Sequence, residues 1–243
     1  MPEIEDAEKE TENPAEMTLV GHLSELRQRI VWSVVALIAG TLVAYFYIDE
    51  LMSFVTAPAG KLYFMAPAEG FFAYLKLAVF AGFLLALPVI LWQVWLFVAP
   101  ALTRKEKKWA LIMVPGSTLL FFTGVAFAYR FVWPSAVKFF LGFGSENLQP
   151  MLSLGQYLSF LISFILPFGV IFNLPLALLV LAKLGIISSR FLAKQRKVMI
   201  VVSFIIGGII TPTPDVFSQT MMAIPILVLY EASIWAVRIL LGK

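Results

Sequence analysis

Cysteine is absent from the 243 residues, histidine occurs once, and charged side chains make up only 14% of the chain. Without thiols there is no cysteine nucleophile, zinc–thiolate site or iron–sulfur cluster, and the redox compartment stays undetermined. The one histidine, His22, stands at the start of an apolar run, so no Ser–His pair and no HExxH helix is available. Neither a GxxxxGK[ST] loop nor a GxGxxG turn occurs, which argues against nucleotide hydrolysis on this chain. The segment Gly142–Ser145 has loop character but no base to activate its serine. These gaps point away from an enzyme and call for no cofactor or metal.

What the chain has in excess is apolar surface. Apolar residues make up 60% and the mean hydropathy is +0.91, whereas soluble domains average about 45–50% apolar and about 25% charged. The sequence therefore reads as an all-α integral membrane protein. Its apolar runs are continuous rather than alternating, which excludes a β-barrel.

Residues 1–16 hold seven acids against Lys9. So acidic an opening buries too little apolar surface to fold, and is expected to be a disordered tail, neither a cleaved signal nor a transit peptide. Residues 17–243 form the single membrane domain. Leu19, Leu23, Leu26 and Ile30 recur at helical spacing, with His22, Glu25 and Arg29 on another face, so a short amphipathic helix runs straight into a span. Six spans are expected at about 30–48, 71–99, 109–133, 154–182, 198–210 and 220–237, since a bilayer core of about 30 Å takes about 20 helical residues. The fifth and sixth are read as short, so the membrane should thin locally or the helix ends should be hydrated. Pro88, Pro115, Pro167, Pro175 and Pro225 fall inside spans and should bend them into a curved, concave bundle.

Six spans put both termini on one side. Of the 18 Lys and Arg residues, 14 fall in the termini and in the loops 100–108 and 183–197; Lys61, Lys76, Arg130 and Lys138 fall on the other side. By the positive-inside bias the termini are cytoplasmic. The basic clusters at 104–108 and 190–197 adjoin span ends, where topology and anionic lipid explain them without nucleic acid.

Acidic and polar residues at defined depths are the candidates for function. Glu25 and Glu106 lie on the cytoplasmic side, and two carboxylates near each other could hold two arginines of a ligand through bidentate hydrogen bonds. Plainer readings are an i,i+4 pair of Glu25 with Arg29, and charge balance for Glu106 within Arg104–Lys108. Asn173 in the fourth span and Glu231 in the sixth are costly at such depth, so either function or an interhelical hydrogen bond accounts for them. Asp215 reads as an N-cap of the sixth helix, worth about 1 kcal/mol.

Several segments resemble one family. They are His22–Arg29, Pro88–Leu102 with the following Glu106, Phe168–Pro175, Pro214–Gln219 and Ala223–Pro225. Together, and in this order over residues 17–240, they resemble TatC, the polytopic core of the twin-arginine protein translocase. The resemblance implies a subunit of a prokaryotic cytoplasmic (inner) membrane that binds the paired arginines of signal peptides. With single-span TatA- and TatB-type partners it would pass folded precursors across the membrane, driven by the proton-motive force. It implies signal binding by Glu25 and Glu106, with Arg27, Phe97, Pro100 and Leu102 around them. It also implies a structurally sensitive Pro58 in the first outer loop, partner docking at Asp215 and Gln219, and self-association into a multimeric receptor complex in contact with membrane lipid. Asn173 departs from the family, many members carrying a glutamate there. The alternative from another class is a secondary transporter with Asn173 and Glu231 as a solute or proton site, against which no internal repeat or matched pair of broken spans is found; a passive membrane scaffold is a third reading.

Overall fold

The computed structural model describes residues 19–98, 104–143, 151–211 and 215–241. The acidic segment 1–16, Pro100, Leu102, Ser145 and the turn residues 212–214 lie outside the described residues. Among the described residues the structure is helical, the one β-type contact being an isolated bridge between Tyr63 and Ser153.

The first helix, α1 (Leu19–Phe46), is continuous from the amphipathic start into the span. A short α2 (Ile48–Thr56) and a 3-10 turn (Ala57–Ala59) carrying Pro58 follow. The second long helix is α3 (Pro67–Val98), and α4 (Arg104–Phe127) runs back beside it. A π-helical turn (Ala128–Val132) joins α4 to α5 (Trp133–Leu141). Then come α6 (Leu154–Phe172), α7 (Leu174–Lys183), α8 (Ser189–Lys194), α9 (Arg196–Ile210) and α10 (Val216–Leu241).

Among the described residues five stretches are long and apolar enough to cross a membrane: Gly21–Phe46, Pro67–Phe97, Met113–Leu141, Leu154–Lys183 and Val216–Leu241. The remaining expected span, 198–210, falls on α9, whose 15 residues reach only about 22 Å at 1.5 Å each. The sixth span, by contrast, is not short. α10 has 26 residues, about 39 Å. Two things extend it. The Ser218 N–H donates to Asp215 Oδ1 at 2.7 Å, capping the start, and Glu231 is tolerated within it because an arginine neutralises it, as described below.

The third span also outruns its expected end. Pro134 has no N–H to give the carbonyl four residues back, and its ring crowds that carbonyl. The chain widens by one residue there: the Trp133 N–H donates to Ala128 O, five residues away, and the helix continues to Leu141. Pro88, Pro115, Pro167 and Pro225 are accommodated inside helices. Pro175 instead follows a break at Asn173, where α6 ends and α7 starts.

The helices pack in series. α1 lies mainly against α3; α3 meets α4 and α6; α4 lies on α6; α7 and α9 flank α10. α1 and α3 approach closely because Gly40 faces Gly82, where a Cβ on Gly40 would stand 2.5 Å from the Gly82 carbonyl oxygen. Small residues that let backbones approach are the usual means of holding helices together in lipid, where no hydrophobic force drives them together.

The end of the molecule where α1 stops and α3 starts is closed by a knot of buried side chains. Ile48, Met52 and Val55 of α2 pack with Trp133, Val137, Tyr157, Leu158 and Phe164. Trp133 Nε1 donates to Tyr157 Oη at 3.1 Å, and Tyr157 Oη donates to Val55 O at 2.9 Å. Glu69, in the first turn of α3, accepts from the Gly155 N–H at 2.7 Å, the Met65 N–H at 2.6 Å and the Ser153 hydroxyl. The opposite end has a smaller core of Ala182, Leu192, Tyr230, Ile234 and Val237, tied by Tyr230 Oη donating to Leu192 O at 2.8 Å.

Candidate functional site

Helical spacing places His22, Glu25 and Arg29, three and four residues apart, on one face of α1. That face meets the last turns of α3. The His22 ring stacks on Phe97, centroids 4.4 Å apart. Arg29 Nη2 donates to Glu25 Oε1 at 3.0 Å, and Arg29 Nη1 reaches Gln93 Oε1 at 3.4 Å. Beside them a groove of about 260 Å³ is lined by Leu26, Arg29, Ser33, Gln93, Val94 and Phe97.

The Glu25 side chain is 19% exposed and that of Arg29 27%, so both charges keep some contact with water. Arg29 Nε is buried with no hydrogen-bond partner. An i,i+4 pair on a helix surface is worth about 0.2–0.5 kcal/mol. A carboxylate can accept two parallel N–H groups from one guanidinium, and among the described residues Glu25 takes one hydrogen bond from Arg29. Arg27 is exposed on the neighbouring face of α1. Glu106 belongs to the first turn of α4, its side chain outside the described set; Pro100 and Leu102, as noted, lie outside the described residues.

The other candidates are scattered through the fold. Pro58 is exposed in the 3-10 turn next to α2. Asn173 donates through Nδ2 to Gly169 O at 2.9 Å, while its Oδ1 is buried without a partner. Asp215 caps α10. Gln219, one turn further on, donates through Nε2 to Phe204 O of α9 at 2.7 Å, and its backbone lies where a Cβ on Gly207 would stand 2.9 Å away. Glu231 is held by Arg196 of α9, with Nε–Oε1 at 2.7 Å and Nη2–Oε2 at 2.8 Å. Gln219 and Glu231 thus fasten the short α9 to α10 near its two ends.

The family model described as Sec-independent protein translocase protein (TatC) matches residues 21–225. The chain belongs to the TatC family. It is 44% identical over 231 residues to the Sec-independent protein translocase protein TatC of Carboxydothermus hydrogenoformans, covering 93% of this chain and 95% of that protein. With the TatC protein of Escherichia coli K12 the identity is 37% over 232 residues, 93% and 90% of the two chains. The crystal structure of the twin arginine translocase receptor TatC is similar at a TM-score of 0.77 and 40% identity, covering 90% of this chain and 98% of that one. The family match takes in the first four of the apolar stretches and the start of the last, Val216–Leu241.

Sequence reasoning did not single out Glu69, Gln93 or Lys76. Glu69 knits α3 to the start of α6, and Lys76, inside the second span, donates through Nζ to Ser159 Oγ at 2.6 Å. Gln93 supplies the α3 side of the Arg29 network. A signal was there for Lys76, an ammonium within a long apolar run, since ionisable residues at such depth need partners.

Proposed function

We propose that this chain is the signal-recognising, multi-span subunit of a twin-arginine translocase, carrying folded precursors across the cytoplasmic membrane of a prokaryote with single-span TatA- and TatB-type partners. α9 acts as a sixth, short span, both termini face the cytoplasm, and the bundle is curved and open. The proton-motive force drives the transfer, and no chemistry is performed on this subunit. The observation that carries this reading is the part-buried Glu25–Arg29 pair beside a groove lined by Gln93 and Phe97.

Glu25 and Glu106 each take one guanidinium of a paired-arginine leader, with Arg27, Phe97, Pro100 and Leu102 forming the surrounding surface. The planar fork of arginine matches a carboxylate, and one lysine ammonium cannot reproduce it. The groove beside the pair, lined mainly by apolar side chains of α1 and α3, receives the apolar part of the leader. Asp215, Gln219 and Asn173 lie where partner spans pack, and several copies assemble into one receptor. The relatives and solved structures are translocase proteins, which leaves the solute-transporter alternative without support.

Glu25→Gln or Glu106→Gln is expected to weaken binding of a paired-arginine peptide about tenfold or more, since each removes a charge-assisted contact of about 1.5–3 kcal/mol, while the helical content and elution profile of the purified chain stay unchanged. Photocrosslinking of such a peptide in membranes reads this directly. Undiminished crosslinking in the double variant, or equal binding of a Lys–Lys leader, would overturn the assignment. The orientation has its own check: a reporter fused after Lys243 that worked only outside the cell would reverse it.

A further inference from the structure

We propose that a cationic pocket between α8, α9 and α10 binds the phosphate of an anionic phospholipid. This cavity, about 500 Å³, is lined by Ser189 and Arg190 at the start of α8, Arg196 at the start of α9, and Trp235 and Arg238 in the last turns of α10. It shares no lining residue with the α1–α3 groove.

The charge in the pocket is unbalanced. Arg196 is matched by Glu231 through two short hydrogen bonds. Arg190 and Arg238 are exposed, and among the described residues no carboxylate pairs with either. Two unmatched guanidiniums and a third one fixed in place converge on one hollow, the arrangement that suits phosphate oxygens, which a guanidinium takes two at a time. The volume lies in the range of about 300–1,000 Å³ typical of small-ligand sites.

The surroundings select a lipid over a free ion. Trp235, Ile239 and Leu240 on α10 and Phe191 on α8 are all exposed by half or more, so an apolar rim adjoins the guanidiniums. An indole at the edge of an apolar belt is typical of a membrane–water boundary, and basic pockets between helix ends bind anionic head groups. α9 adds a reason for the headgroup to sit here. Taken as the short sixth span proposed above, α9 at about 22 Å falls short of a bilayer core of about 30 Å, so the leaflet would be drawn inward beside it and the headgroup plane brought towards Arg196, its first residue. A bound phosphate would then staple α8 and the start of α9 to α10, where Tyr230 and Glu231 already make the protein's own links.

The test uses the purified full-length chain in a neutral detergent, titrated with short-chain phosphatidylglycerol, with phosphatidylcholine of the same tails, and with inorganic phosphate. Native mass spectrometry counts bound lipid and thermal unfolding reports the stabilisation. Phosphatidylglycerol is expected to bind at least about tenfold more tightly than phosphatidylcholine, with inorganic phosphate a poor competitor. The R190Q/R238Q double variant should erase that preference, and K194Q/K197Q, which removes the same charge from side chains outside the pocket, should retain it. Equal binding of the two lipids by the unmodified chain, which needs no variant to fold, would overturn the proposal. So would loss of preference in both double variants alike, and full displacement by inorganic phosphate would make the site one for a free anion.

Discussion

Trp133→Ala is expected to cost about 3–5 kcal/mol of stability, the range for removing a large buried aromatic. Trp133 is completely buried and its ring lies within 5.2–6.5 Å, centroid to centroid, of Tyr157, Phe160 and Phe164. Much of this neighbourhood is protein against protein, so the loss is one of packing, and it does not depend on water being the alternative solvent. The truncation also removes the donor to Tyr157 Oη, the hydroxyl that in turn holds Val55 O of α2. α2 should loosen before the long helices do. Trp133→Phe separates the two contributions: it keeps most of the volume and deletes the hydrogen bond, so a loss of about 1 kcal/mol is expected. Thermal unfolding of the purified chain in detergent, with proteolysis between Phe46 and Pro67 as the local readout, distinguishes the pair. A Trp133→Ala protein that melted with the parent would show that the buried knot does not hold this end of the fold.

That knot also marks the boundary of what could be read from the sequence. The long spans are legible because each is a run of local apolar character sufficient to cross a bilayer, and nothing distant is needed to recognise one. α2 is a helix of nine residues whose apolar stripe, Ile48, Met52 and Val55, makes sense only against Trp133 and Tyr157, more than 75 positions away. Glu69 is similar: its partners, Ser153 and Gly155, are 84 and 86 positions on. The third span ends at Leu141 rather than at the expected 133, because a single π-type bond carries the helix past Pro134.

The candidate site divides in the same way. Glu25 with Arg29 follows from spacing along one helix, and the spacing also gives their hydrogen bond. The contributions of Gln93 and Phe97 come from the α1–α3 contact, which no local pattern specifies. Glu231 shows the cost of reading one residue at a time. As an isolated acid in an apolar run it suggested a site, but its partner Arg196 is 35 positions earlier, and with the partner in place the carboxylate is accounted for by the joint between α9 and α10. The acid therefore carries less functional information than its depth alone implied, while the arginines left over beside it carry more.

Gly82→Ala is expected to impair recognition without touching any recognising side chain. A Cβ at Gly82 would stand 2.4 Å from both the N and Cα of Thr41, and backbone atoms cannot rotate aside, so α1 and α3 must separate. Overpacking of this kind costs about 1–3 kcal/mol. Intrinsic helix propensity works the other way, favouring alanine over glycine by about 0.8–1.0 kcal/mol, so any destabilisation measures the lost contact. Gly70→Ala on the same helix is the control, since nothing lies within 4 Å of a Cβ there, and it should be neutral or slightly stabilising. The functional consequence follows from which helix bears which group: Glu25 and Arg29 ride on α1, Gln93 and Phe97 on α3, and shifting one helix against the other pulls Arg29 from Gln93 and His22 from Phe97. Binding of a paired-arginine peptide should fall by about tenfold, equivalent to about 1.4 kcal/mol. Cysteine-directed spin labels on α1 and α3 can report the separation, because the chain has no native thiol to compete. An unchanged interhelical distance together with reduced peptide binding would sever the link between this contact and the site; a lengthened distance with intact binding would show that α1 alone presents the carboxylate and that α3 contributes nothing to it.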